Sequence, residues 1–120
     1  GRMRWTMEVS VLEAISRMLH IAVEEQGSTL YVQVGDGTEV ILRGEEGERR
    51  ILKGPQRVFD QLRSRLLHMA RLPAHDPSIT REGEILYLVD GQMHTFLFRE
   101  TRSLLDSRSR LLTLRCLTED

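Results

Sequence analysis

The chain has 120 residues, 40% apolar and 29% charged, with a formal net charge of −1. That length suits one domain with one core, and that balance is the profile of an ordinary soluble globular protein. It lacks the basic excess that a nucleic-acid binder carries. A single cysteine, Cys116, excludes an intrachain disulfide and fits a reducing, cytoplasmic compartment. No apolar stretch approaches the ~20 residues of a membrane helix. The opening GRMRWTMEVS has no apolar signal core. Gly1-Arg2 ahead of Met3 reads as a cloning remnant. Residues 1–9 are therefore taken as an extension, 10–117 as one domain and 118–120 as a tail.

Ser10 and Glu13 form an S-x-x-E capping box that predicts a helix start. Leu12, Ile15, Met18, Leu19, Ala22 and Val23 follow at helical spacing, and Gly27 stands where a C-terminal cap would fall. TLYVQV (29–34) is a β-branched and aromatic strand. Asp36-Gly37 predicts a tight hairpin into TEVILR (38–43). A second turn at 44–47 leads into ERRILK (48–53). Three short strands joined by turns make an antiparallel meander.

Gly54-Pro55 breaks the pattern and opens a second helix. Val58, Phe59, Leu62, Leu66, Met69 and Ala70 form its apolar face, while Arg57, Arg63, Arg65 and Arg71 spread around the solvated remainder. Pro73 stops it. EILYLV (84–89), the turn Asp90-Gly91 and MHTFLFR (93–99) predict a hairpin. ETRSLLDSRSR (100–110) reads as a long loop and LLTLRCL (111–117) as a closing strand. The order α-β-β-β-α-β-β-β indicates an α+β domain with an antiparallel sheet.

Few patterns carry chemistry. His68, His75 and Asp76 cluster around a helix end, but their spacing does not put two imidazoles on one face, and zinc wants three or four convergent ligands. His20 and His94 lie on other elements. No metal site is expected. Ser64, Ser78, Ser103, Ser107 and Ser109 lie in no nucleophile elbow. Cys116 lies in an apolar run, as a structural thiol does. Gly35, Gly37, Gly44 and Gly47 lie between strands, whereas phosphate cradles lie between a strand and a helix. No Walker motif occurs in these residues. The sequence thus predicts neither a catalytic constellation nor a cofactor. All positive charge but Lys53 is arginine, whose planar fork pairs with carboxylate or phosphate. Arg99, Arg102, Arg108 and Arg110 could contact phosphate, but stacking aromatics are few, and Glu100 and Asp106 offset them.

Several stretches resemble a known family in collinear order over residues 10–117. Ser28-Thr29-Leu30-Tyr31-Val32 resembles its first strand. Glu45-Glu46-Gly47 stands where it has Ile-Asp-Gly. SRLLHMARL (64–72) resembles its helix signature, REGEI (81–85) its Q-D-G-R-I turn, and LRCL (114–117) its last strand. The family is the N-terminal domain that precedes the motor in ATPases of type II secretion and type IV pilus assembly. The resemblance implies a PAS-like fold and a non-catalytic adaptor role in such machinery, with a protein partner or a motor domain and the option of oligomer formation. The family's arginines reach nucleotide or a neighbouring subunit. Here Arg43 matches one of them, but Glu84 replaces the terminal Arg of the turn, Ser78 stands near a second, and Thr29 replaces an Asp. A carboxylate would repel phosphate, so neither ATP binding nor hydrolysis is expected. The candidate partner-binding residues are Arg43, Arg63, Arg65, Arg71, Arg81, Arg99 and Arg102. A small-molecule sensor with a PAS-like cavity and a nucleic-acid module are the alternatives.

Overall fold

A computed structural model describes residues 3–4, 11–105 and 109–117 of the chain, Met3 and Arg4 by their backbone alone. Ser10, Asp106, Ser107, Arg108 and the 118–120 tail lie outside the described residues.

Strand β1 (Met3–Arg4) is followed by helix α1 (Val11–Glu24). α1 buries Ala14, Ile15, Met18, Leu19 and Ala22, one stripe at a period of 3.6. Leu12, expected in that stripe, is 56% exposed because it lies a quarter-turn outside the contact. The meander follows as β2 (Thr29–Val34), β3 (Thr38–Gly44) and β4 (Gly47–Gly54). Asp36-Gly37 does not form the two-residue turn: neither residue has a positive φ, and the Gly35 amide bonds the Gly37 carbonyl at 2.8 Å. Gly37 serves packing instead, since a Cβ there would be driven into the Gly54 carbonyl oxygen.

Thr38 is fully buried, and its hydroxyl reaches the carbonyls of Pro55 (2.8 Å) and Gln56 (3.2 Å). It thereby ties the start of β3 to the entry of helix α2 (Arg57–Met69). α2 buries Val58, Phe59, Leu62, Leu66 and Leu67. Its end is set before Pro73 is reached. The Leu72 amide bonds the Leu67 carbonyl at 2.9 Å and the Arg71 amide bonds the His68 carbonyl at 3.1 Å, the paired reverse bonds of a Schellman cap. The cap requires a left-handed residue, and Arg71 takes it at φ 59°.

The closing strands are β5 (Thr80–Val89), β6 (Gln92–Arg102) and β7 (Arg110–Cys116). Asp90 (φ 49°) and Gly91 (φ 82°) turn β5 into β6 as a two-residue mirror-image turn needs. β5 begins four residues earlier than expected, and β6 runs three residues beyond Arg99 into the supposed loop. Charged side chains hid both extensions, which the ladder Thr80↔Thr101 to Val89↔Gln92 shows to be continuous.

The sheet order is β1-β4-β3-β2-β7-β6-β5, antiparallel except for β1 beside β4. Two helices and this mainly antiparallel sheet make an α+β fold. Both helices pack on one face of the sheet. Leu30, Val32, Val40, Phe96, Phe98, Leu112 and Leu114 meet them there with no exposed surface. Burying each phenylalanine contributes roughly 1.5–3 kcal/mol.

Arg71→Gly should raise stability by about 1 kcal/mol, because glycine carries no Cβ penalty in the left-handed region. The denaturant midpoint measures it, and a lower midpoint would show that the Arg71 side chain contributes more than its backbone costs.

Candidate functional site

On β6 the inward positions alternate Phe96, Phe98 and Glu100. The third carries a carboxylate, yet Glu100 is only 6% exposed. An ion at such depth needs partners, and three elements supply them. Arg81 lies directly across the ladder on β5 and donates through Nε to Oε1 at 2.8 Å. Arg63, projecting from α2, donates through Nε to Oε2. Arg110, on β7, stands 3.6 Å from the same oxygen. Burial alone would raise the Glu100 carboxyl. The hydrogen bonds and charges of Arg63 and Arg81 outweigh it and hold the group below its ordinary value.

Two of these arginines, with Arg102, fasten the 70–79 connection. Arg63 donates to the Ala74 carbonyl (3.1 Å) and Arg81 to that of Pro73 (2.6 Å). Arg102 donates through its guanidinium to the Pro77 carbonyl (3.0 Å) and through its backbone amide to that of Ile79 (2.8 Å). Asp76 accepts from the Ser78 amide at 2.7 Å and stands 3.9 Å from Arg81. Hydrogen bonds from Ser78, then the charge of Arg81, lower its pKa. Asp76 therefore shapes the connection. His75 is exposed on it, His68 is exposed on α2, His20 is bound to the Ser16 carbonyl at 2.7 Å, and His94 is tilted against Phe96. Among the described residues no three His, Cys, Asp or Glu side chains converge as a metal site would require.

REGEI lies inside strand β5 instead of forming a turn. Gly83 is needed there for close approach: a Cβ would sit 3.1 Å from the Ala70 Cβ and 3.2 Å from Leu72 Cδ1, where the end of α2 presses on the strand. Glu84 is exposed on the opposite face.

The seven candidate arginines separate. Arg63 and Arg81 come together on Glu100, and Arg63 is only 17% exposed, so it does not share a solvated helix face with Arg65. Arg102 fastens the connection. Arg43 pairs with Glu48 at 2.9 Å and lies over the Tyr31 ring at 4.9 Å. Arg99 pairs with Glu82. Arg65 and Arg71 are exposed on α2 and its cap. Cys116 is buried, and burial raises its thiol. The hub itself, Glu100, was missed because residues 100–110 read as a loop. Its signal was a charge at the third position of an inward-facing alternation.

The helix-free face of the sheet differs in kind. Arg43–Glu48, Arg50–Glu39 and Arg99–Glu82 cover parts of it with ion pairs. At the tip of the β5–β6 hairpin Leu86 (67%), Leu88 (58%) and Met93 (61%) stand exposed, and Leu88 and Met93 are ladder partners. No protein-family model and no curated protein matches the chain. Among the described residues no helix is long and apolar enough to cross a membrane.

Glu100→Gln removes the charge that Arg63 and Arg81 enclose and should cost about 3 kcal/mol at pH 7. Because the folded pKa is depressed, this contribution is complete above the unfolded value near 4.5 and is lost as pH falls through the lower folded value. Urea midpoints of the wild type and the variant should differ by a constant amount from pH 6 to 8 and converge on acidification below about pH 4.5. An equal gap at pH 7 and pH 3 would refute the ionic role.

Proposed function

We propose that the chain is a non-catalytic protein-interaction domain, of the kind that precedes the motor in type II secretion and type IV pilus assembly ATPases. The observation that carries the protein-contact part is the apolar tip of the helix-free face, where Leu86, Leu88 and Met93 stand together more than half exposed. A contiguous apolar patch of this sort marks an interaction site. The assignment to secretion or pilus machinery rests on the resemblance of SRLLHMARL and REGEI to that family.

The remaining chemistry fits an adaptor. Among the described residues the one buried carboxylate, Glu100, is bound by arginines that also hold the connection between α2 and β5. Glu84 and Glu82 lie on the exposed face of β5, where a nucleotide phosphate would meet carboxylates. A sensor cavity between sheet and helices fits poorly with the packing of Phe96, Phe98, Ile15, Leu62 and Leu66, all at most 2% exposed. A nucleic-acid surface fits poorly with arginines already paired to carboxylates and a net charge of −1. Arg65 and Arg71 remain as exposed cations on the α2 side, suited to an acidic surface of a motor domain.

Isothermal titration of the chain with the secretion- or pilus-type motor domain of the same organism tests the assignment. The expected result is a complex in the micromolar range, weakened about tenfold by Arg65→Glu with Arg71→Glu. No complex at about 100 µM would overturn the assignment to that machinery, as would ATP hydrolysis by the chain that a single substitution abolishes.

A further inference from the structure

β5 is the last strand of the sheet and runs for ten residues. Its outer backbone edge has no strand partner among the described residues. Monomeric proteins usually guard such an edge with a proline, a lysine, a bulge or a short strand. Here the guard is uneven. The first half carries Arg81, Glu82 and Glu84. The second half, Ile85-Leu86-Tyr87-Leu88-Val89, carries no charge, proline or glycine, and its ladder with β6 is regular throughout.

We infer that this half-strand pairs with the same half-strand of a second copy, joining two sheets across β5 in an antiparallel, two-fold dimer. The inference deepens the reading of the chain as an interaction domain and rests on it. An unpaired backbone edge is satisfied by another extended backbone, and a second copy supplies one with the matching side-chain pattern. With Tyr87 on the two-fold axis, Ile85 faces Val89 of the other copy and Leu86 faces its Leu88. Every paired position within 85–89 is then apolar, and the first charged pair, Glu84 against Asp90, falls where the half-strand ends. Shifting the register two residues toward the N-terminus instead places Glu84 against Leu86 and Glu82 against Leu88, and a parallel arrangement cannot be closed by a two-fold.

The side chains support the same geometry. Ile85 and Val89 point into their own core and are at most 3% exposed, so they need nothing from the partner. Leu86, Leu88 and Met93 lie on the helix-free face, and the two-fold brings both sets into one cluster of six. Each set exposes on the order of 300 Å² of apolar surface. With the two backbone edges the contact reaches roughly 1,000 Å², the lower end for a specific interface and the size of a reversible dimer. Glu82 is neutralised by Arg99 of its own chain, and a net charge of −1 per copy opposes association little.

Sedimentation velocity of the full chain from about 5 to 500 µM, the range of such interfaces, tests the dimer. The expected result is a monomer–dimer equilibrium that Leu86→Lys with Leu88→Lys weakens at least a hundredfold. Both positions are exposed, and an unchanged circular dichroism spectrum and melting temperature would show that the variant folds. Amide exchange of the wild type at the two ends of that range gives a second readout, with protection at high concentration expected within Ile85–Val89. A wild-type monomer at every concentration overturns the proposal, as does a dimer indifferent to both substitutions or protected elsewhere. A monomer that still binds the motor domain refutes the dimer alone, whereas a dimer that does not bind it refutes the secretion assignment alone.

Discussion

Glu100 is the constraint on which one end of the molecule depends. Its position in the alternation Phe96, Phe98, Glu100 would take an apolar side chain if core filling were the only demand. A carboxylate there is unfavourable by several kcal/mol unless cations follow it inward. Arg63 and Arg81 do so, one from α2 and one from β5, and that requirement fixes the approach of the helix to the sheet. Withdrawing either arginine would leave one enclosed carboxylate oxygen without its hydrogen bond, so the three positions act as a unit.

Once placed, the two guanidiniums have donors to spare, and these organise the backbone that joins their elements. Arg63 takes the Ala74 carbonyl and Arg81 that of Pro73, and Arg102 at the end of β6 adds that of Pro77. A ten-residue connection with four carbonyls bound has little freedom left to gather His68, His75 and Asp76 about an ion. Asp76 is used within the connection, on the Ser78 amide. Of the residues that resemble a site in the sequence, Asp76 belongs to this ionic network, and His68 and His75 are exposed. One atom stands outside the arrangement: Arg81 Nη2 is enclosed without a hydrogen-bond partner among the described residues.

The helices, the meander and the α+β class were legible because they follow from periodicity: Ile15, Leu19 and Ala22 at one spacing, Leu30 and Val32 at another. What the pattern could not show were contacts between distant residues. Arg81 and Glu100 are nineteen positions apart, and each alone reads as a surface charge, so 80–83 and 100–102 looked like turn and loop. The ladder between β5 and β6 brings them opposite each other and turns two apparent surface charges into an interior pair. Gly83 misled for a similar reason. Its lack of a Cβ serves the approach of Ala70 and Leu72, a helix-to-strand demand that resembles a turn signal when only neighbours in sequence are visible. The exposed Leu86, Leu88 and Met93 were equally hidden, since an alternating strand with apolar residues on both faces looks the same whether the second face is covered or bare.

The two features meet in β5. Arg81 fixes its first half from the inside through Glu100, and Glu82 is held on the outside by Arg99, so polar chemistry determines where that half lies. Its second half is held by Ile85 and Val89 in the core and needs no charge. The consequence is a strand whose register and twist are set at one end, while the other end presents an ordered, apolar backbone edge. An edge that is ordered before contact loses little conformational entropy on pairing. A loose hairpin with the same leucines would first have to be ordered, and much of the gain from a contact of this size would be lost. In the proposed dimer the buried ion pair would therefore bear on association as well as stability, because it holds β5 in place before contact.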